Sequence, residues 1–397
     1  MKTSLRSVVP PFAVMDILAE VERRRAAGDR VWSLCAGEPD GGAPTDVRER
    51  AAALLASGER LGYTAALGTA ELRATIAAHY ERSYGVHVDR EAVAVTTGSS
   101  GAFVLAFLAA LDPGDRVAIA RPGYPAYRNI LAALGADVIE LACGPEVRHQ
   151  PTPALLDAAI AEHGPLTALV VASPANPTGT VIEPAAFAEL AAWCTERGVR
   201  LVSDEIYHGL LHGSARATCA WEHDRSAIVV SSFSKFWGMT GWRLGWALLP
   251  PELIAPVDAL AGNLALCPPA LAQSAALAAF TERSYDEATA AAARCTEHRD
   301  LVVPRLAGLG LNAPAPADGA FYVYADATAL LERAGASDSV ELCRRILDEA
   351  NVALTPGTDF DAVDGGSWVR LSYAASRDEL DGALSALEAW VAALPSP

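Results

Sequence analysis

Lys235 is the residue of this chain whose setting most favours covalent chemistry. It stands in Ser231-Ser232-Phe233-Ser234-Lys235-Phe236-Trp237-Gly238-Met239-Thr240-Gly241-Trp242-Arg243-Leu244-Gly245, just after an apolar run and eight positions before Arg243. A lysine held in apolar surroundings loses basicity and becomes a nucleophile able to form a Schiff base. A surface lysine beside a strand end is the ordinary alternative, and the aromatic and glycine neighbours count against it. Upstream, Val202-Ser203-Asp204-Glu205-Ile206-Tyr207 follows another apolar run. Open α/β sheets bind ligands at the carboxyl ends of their strands. A carboxylate there, Asp204, can pair with a protonated heteroaromatic nitrogen and make the ring an electron sink. Tyr207 can donate to an oxygen on the same ring. Taken singly, Asp-Glu after a strand is more often a helix cap.

Two further segments are weak alone. Ser173-Pro174-Ala175-Asn176-Pro177-Thr178-Gly179 is either an ordinary turn or a device that aims the Asn176 amide into the same crevice. Thr96-Thr97-Gly98-Ser99-Ser100-Gly101-Ala102 joins a strand to a helix start, where backbone N–H groups and the helix dipole suit a phosphate.

The elements that must position these groups follow from periodicity. Strands are predicted at Ala92–Thr97, Arg116–Arg121, Asp137–Leu141, Ala168–Ala172, Arg200–Ser203, Ala227–Ser231 and Leu244–Leu248, with helices between most of them, among them Ser100–Ala110, Pro153–Glu162 and Pro184–Arg197. Near-continuous apolar strands alternating with helices predict an α/β fold whose large, mostly parallel sheet is covered by helices on both faces. A long helical region, Pro268–Leu306, follows. Then come a strand Gly319–Tyr324, a helix Val340–Ala350, strands Val352–Leu354 and Trp368–Tyr373, and a helix Glu379–Ala393, a pattern that predicts a smaller α+β domain. The division expected is residues 1–44 as an arm packing with the small domain through a helix Val14–Ala27, 45–285 as the large domain, and 286–397 as the small one.

Composition sets the outer limits. The 397 residues carry 31 basic and 48 acidic side chains, a formal charge of −17, and 51% are hydrophobic. That is ample material for a core, and the acidic balance argues against nucleic-acid or anionic-membrane partners. The longest clean apolar run, Gly101–Leu111, is well short of a bilayer span. Seven scattered cysteines without a C-x-x-C pair predict reduced thiols and a cytoplasmic protein. His208 and His212 are four apart but lack a glutamate base and a third ligand, so no metal site is expected.

Together the four segments resemble the fold-type I pyridoxal-5′-phosphate (PLP) enzymes, and within them the class I/II aminotransferases of the aspartate aminotransferase superfamily. The resemblance runs from Gly37 to Arg370 in the family's order and spacing. It implies that Lys235 forms the Schiff base with PLP, that Asp204 partners the pyridine nitrogen, and that Tyr207 and Asn176 bond the ring's phenolate oxygen. It implies a phosphate site made by Ser232, Arg243 and the amides of Ser99 and Ser100, with Tyr124 of Arg121-Pro122-Gly123-Tyr124-Pro125-Ala126-Tyr127 stacked on the ring. Arg370, in Val369-Arg370-Leu371-Ser372, matches the clamp on the substrate α-carboxylate, helped by the Gly37 amide. Tyr63, in Gly62-Tyr63-Thr64-Ala65-Ala66-Leu67-Gly68, matches a tyrosine lent to the neighbouring subunit's phosphate, which implies a two-fold homodimer with shared sites.

The implied reaction is ping-pong transfer of an amino group between an L-α-amino acid and a 2-oxo acid. Some aspartate-preferring relatives carry a lysine in the phosphate loop, where this chain has Ser100. No other arginine stands in a recognisable distal-carboxylate motif, so an uncharged aliphatic or aromatic substrate is expected. Gly41-Gly42-Ala43-Pro44 departs from the phenylalanine and threonine that relatives often carry at the substrate entrance. The competing readings are a PLP-dependent lyase acting on cysteine conjugates, and a non-catalytic PLP-binding sensor. The short, non-basic N-terminus speaks against the sensor.

Overall fold

A computed structural model describes residues 2–35 and 37–395. Met1, Ser396 and Pro397, at the ends of the expected arm and small domain, and Ala36, beside Gly37, lie outside the described residues. A short strand β1 (Trp32–Ser33) precedes seven that form the larger sheet. These are β2 (Val93–Thr96), β3 (Arg116–Arg121), β4 (Asp137–Ala142), β5 (Ala168–Ala172), β6 (Arg200–Asp204), β7 (Ile228–Ser232) and β8 (Gly245–Leu248). Their spatial order is β2-β8-β7-β6-β5-β3-β4. Neighbours from β7 to β4 pair in parallel, whereas β8 runs antiparallel to both β7 and β2.

Alternate residues of these strands feed two separate apolar layers. Leu169, Val171, Leu201 and Val229 join one core, and Val170, Val202, Ile228 and Val230 the other. With a side-chain period of two, only a strand apolar at every position can serve both faces. Each fully buried valine or leucine contributes roughly 1.5–3 kcal/mol, so the register of this sheet is strongly held.

The edge that carries the chemistry-bearing loops also needs two glycines. Gly98 opens the helix Gly98–Ala110 after β2 with φ +70°, and a Cβ there would stand 2.8 Å from the Arg243 guanidinium. Gly245 begins β8, and a Cβ on it would lie 2.7 Å from the Gly98 carbonyl carbon and the Ser99 amide nitrogen. Only glycine allows backbones to approach that closely.

The second sheet comprises β9 (Tyr322–Asp326), β11 (Thr355–Pro356) and β12 (Trp368–Ser372), in the order β11-β12-β9 and antiparallel throughout. Between them β10 (Val352–Ala353) leaves this sheet and pairs in parallel with β1, Trp32 opposite Val352 and Ser33 opposite Ala353. Arg370 sits on the central strand β12, with Tyr324 and Thr355 as its cross-strand neighbours. The helix Ala13–Ala26 is tied to the same part of the chain. The Asp359 carboxylate accepts from the N–H groups of Ala13 (2.8 Å) and Val14 (3.1 Å), satisfying donors that a helix start leaves open.

Three sequence expectations need adjustment. The strand predicted at Gly319–Tyr324 starts at Tyr322, because Gly319 and Ala320 spend their N–H groups on the carbonyls of Gly179 and Leu210. The predicted Val352–Leu354 strand is replaced by two short strands with different partners. The Pro268–Leu306 region is broken at Thr281, whose hydroxyl caps the 25-residue helix Glu282–Leu306 by accepting from the Ser284 N–H. That helix passes unbroken through positions 285 and 286. All seven cysteines are free. Among the described residues no helix is long and apolar enough to cross a membrane.

Candidate active site

The carboxyl ends of β5, β6 and β7 and the start of the helix after β2 converge on one edge of the large sheet, facing β12 of the small one. Lys235 lies three residues beyond β7, and its Nζ donates to the Gly37 carbonyl at 2.5 Å. Burial pushes its pKa down from 10.5 to about 8. The charges of Glu38 and Asp204 oppose that fall, and those of Arg370 and Arg243 add to it. Roughly a tenth of this amine is therefore unprotonated at pH 7, far more than for an ordinary lysine, and the neutral amine is the form a nucleophile requires.

Asp204 ends β6 and is 4% exposed. Its Oδ2 accepts from the Tyr127 hydroxyl and its Oδ1 from the Ile206 N–H at 3.0 Å. Burial pushes the carboxyl up to about 6, and these two hydrogen bonds pull it back. Asp204 thus stays mostly ionised at pH 7 although it is enclosed. Tyr127 escaped the sequence reading. Its only signal was a tyrosine three residues after Tyr124 at the start of the helix Pro125–Leu134.

The Tyr127 hydroxyl favours the charged form of Asp204, so removing it raises the carboxyl pKa further. A Tyr127→Phe enzyme should show the acid limb of its kcat/KM profile moved to higher pH by roughly one unit. An unmoved limb would show that this hydrogen bond does not set the charge of Asp204.

Arg370 is 3% exposed. Its Nη1 donates to Asn176 Oδ1 (3.0 Å), and its Nη2 to the Cys35 carbonyl (3.0 Å) and Thr355 Oγ1 (3.3 Å). The guanidinium carbon stands 4.5 Å from the centroid of the Tyr322 ring and 4.8 Å from that of Phe360. Its Nε is buried with no partner among the described residues. Tyr207 and Tyr322 share a hydrogen bond between hydroxyls at 3.2 Å. Tyr124 stacks on Phe12 with 6.2 Å between centroids. Tyr322, Thr355 and Phe360 carried no sequence signal, since alternation marks them only as strand or loop residues.

Ten of the twelve sequence-predicted residues line one cavity of about 260 Å³: Gly37, Ser99, Ser100, Tyr124, Asn176, Asp204, Tyr207, Lys235, Arg243 and Arg370. Two stand outside it. Ser232 is fully buried, its hydroxyl accepting from the Ser234 N–H, and it lines a neighbouring cavity. Tyr63 is 85% exposed. The cavity is completed by Val14, Met15 and Leu18 of the helix Ala13–Ala26, which the sequence reading did not place there. His208 and His212, set aside as metal ligands, are engaged otherwise. His208 Nδ1 meets the Tyr84 hydroxyl at 2.9 Å, while His212 meets Thr296 Oγ1 at 2.9 Å and the Ala320 carbonyl at 3.0 Å.

An open α/β sheet whose carboxyl edge gathers a lowered-pKa lysine, a buried carboxylate and two arginines around one cavity defines a ligand-binding enzyme of the doubly wound class. The aminotransferase class I and II family matches residues 29–387. The chain is 51% identical to the valine–pyruvate aminotransferase of Mycobacterium tuberculosis, with 98% of each sequence covered. It is 37% identical to the aspartate/prephenate aminotransferase of Thermus thermophilus, with 94% of each covered. A solved aminotransferase structure from Mycobacterium tuberculosis superposes with a TM-score of 0.93 at 48% identity over 99% of both chains. This chain belongs to the class I and II aminotransferases, PLP-dependent enzymes that pass amino groups between amino acids and 2-oxo acids.

The residues present fit that cofactor. The missing Cβ of Gly98 leaves the Arg243 guanidinium against a helix N-terminus, a cradle for a phosphate. Lys235 offers an amine of lowered pKa, and Asp204 a retained negative charge.

Proposed function

We propose that this aminotransferase takes the amino group of a small apolar L-α-amino acid of the valine type and passes it to a short 2-oxo acid such as pyruvate. One observation carries the reading: Val14, Met15 and Leu18 form an apolar wall in a cavity whose three cationic side chains, Lys235, Arg243 and Arg370, all have assigned tasks. No cation among the lining residues remains for a second carboxylate, and a buried unpaired charge is costly. The 51% identity to a valine–pyruvate enzyme supports the same substrate class.

In this reading the phosphate is held by the amides of Ser99 and Ser100, by Ser232 and by Arg243, and Tyr124 stacks on the cofactor ring. Asn176 and Tyr207 hold the ring's phenolate oxygen. Asp204, fixed by Tyr127 and the Ile206 N–H, keeps a negative charge for the ring nitrogen. Bound PLP supplies an aldehyde that condenses with amines and a ring that takes up the electron pair of a broken Cα–H bond. Arg370 and the Gly37 amide grip the substrate α-carboxylate, which fixes the Cα–H bond relative to Lys235. Lys235 Nζ takes the Cα proton and holds it until it is returned. The apolar wall excludes water from that transfer.

A screen of amino acids in the half-reaction, followed by the cofactor's absorbance, tests the substrate class. Valine should exceed aspartate in kcat/KM by about a hundredfold. Equal values would remove the apolar-wall argument. The relatives compared above are transaminases, and nothing favours the cysteine-conjugate lyase or the sensor.

We further propose a two-fold homodimer in which each site is completed by the partner subunit's Tyr63. The exposure of Tyr63 and its absence from its own chain's cavity support this. A chain that sediments as a monomer at assay concentration with full activity would refute it. The arm at 1–44, large domain at 45–285 and small domain at 286–397 are part of the same reading. The β1–β10 pairing and the Asp359 cap support the arm's attachment. Seven free thiols support a reducing, cytoplasmic location.

A further inference from the structure

A second cavity, of about 370 Å³, shares only Ile206 with the first. Arg82 and Arg216 stand exposed at its rim, each already paired with an acid, Glu282 and Glu222 respectively. Its inner wall holds Glu205, 1% exposed, and His208, 8% exposed. Glu205 is half satisfied. Its Oε1 accepts from the Ala220 N–H at 2.8 Å and from Ser203 Oγ at 3.2 Å, while its Oε2 has no hydrogen-bond partner among the described residues.

The basic group beside that free oxygen is His208, whose Nδ1 lies 3.5 Å away. It does not serve as a cation, because burial pushes its pKa down to about 3 and its Nδ1 meets the Tyr84 hydroxyl. Burial in turn pushes the Glu205 carboxyl up to about 8, against the pull of the Ala220 N–H, the Cys219 thiol and the Ser203 hydroxyl, so near neutral pH the group is mostly protonated. A buried acid beside a neutral imidazole, with the rim arginines committed elsewhere, has no cation to hold its charged form, and a bound cation would draw it back to the carboxylate. The wall also carries several aromatic rings, among them Tyr84, Phe236, Trp237 and Trp246, and aromatic rings favour organic cations. The volume equals that of roughly a dozen liquid waters, far more than a bare monovalent ion fills.

We propose that this cavity binds a small organic ammonium ion, which pairs with Glu205 Oε2 and packs its alkyl groups on the aromatic wall. It is a separate cavity that adjoins the proposed phosphate site through Ser232, and it does not depend on the substrate reading above.

The test is calorimetric titration of the holoenzyme with protonated N,N-dimethylbutylamine, a tertiary amine that cannot condense with an aldehyde. The expected result is saturable binding that leaves the cofactor absorbance unchanged. It should weaken on the order of tenfold or more in Glu205→Gln, and similarly in Ala215→Trp, which narrows the mouth without touching Glu205. If Glu205→Gln does not fold, Ala215→Trp decides alone. Potassium chloride at the same concentration should not displace the amine. The proposal is overturned by the absence of saturable binding to wild type, by affinity unchanged in the folded variants, by displacement with the amino-acid substrate, or by equal displacement with potassium.

Discussion

Lys235→Ala should fold normally and lose transamination by about 10⁴-fold or more. The loss combines two roles at one nitrogen, a nucleophilic amine and a proton carrier, and general acid–base help alone is typically worth ~10²–10⁴. The side chain contributes one hydrogen bond, to the part-buried Gly37 carbonyl, so its removal leaves one partly solvated acceptor unpaired and costs stability only modestly. Comparing melting temperature with turnover separates the two effects. Appreciable transamination by a folded Lys235→Ala enzyme would sink the catalytic assignment.

The lowered pKa can be read independently of activity. The chain has only two lysines, Lys2 and Lys235. In cofactor-free protein an acylating reagent should label Lys235 with a pH midpoint near 8, because burial favours the neutral amine and the reactive fraction rises as pH passes that value. A Lys235 midpoint near the ordinary lysine value of 10.5 would contradict the burial argument.

Arg370→Ala should lower kcat/KM for any amino-acid substrate by about 10²–10⁴. Each charge-assisted hydrogen bond from the guanidinium to a carboxylate is worth roughly 1.5–3 kcal/mol, and the fork makes two. Truncation also strands Asn176 Oδ1, the Cys35 carbonyl and Thr355 Oγ1, all now oriented by Arg370. Arg370→Lys keeps the charge without the fork and should fall between the two enzymes. If amines lacking a carboxylate were used as well as amino acids by wild type, the clamp would be misassigned.

What could be read from sequence follows the locality of each signal. Asp204 and Lys235 sit at or just past the ends of apolar runs, so a strand and its ligand-facing end were visible within a few residues. The seven strands of the large sheet were legible for the same reason: both faces are covered, and the runs are apolar throughout. Tyr127 was overlooked because its role depends on a residue 77 positions away. Val14, Met15 and Leu18 were legible only as part of the predicted N-terminal helix Val14–Ala27. Their place in the cavity comes from ties such as the Asp359 cap, formed across more than 300 residues. The two-residue strands β1 and β10 are too short for any periodicity to mark.

The helix Ala13–Ala26 has a consequence for redesign. It supplies an apolar wall of the cavity, which in the proposed reading meets the substrate's side chain, whereas Asp204 and Arg370 stand on the two sheets and Lys235 just beyond β7. In that reading the part that selects and the parts that react belong to different elements. Exchanging the side chains at positions 14, 15 and 18 offers a route to new amino-acid preferences that leaves the reacting groups in place, so one catalytic apparatus can serve a series of interchangeable selectors.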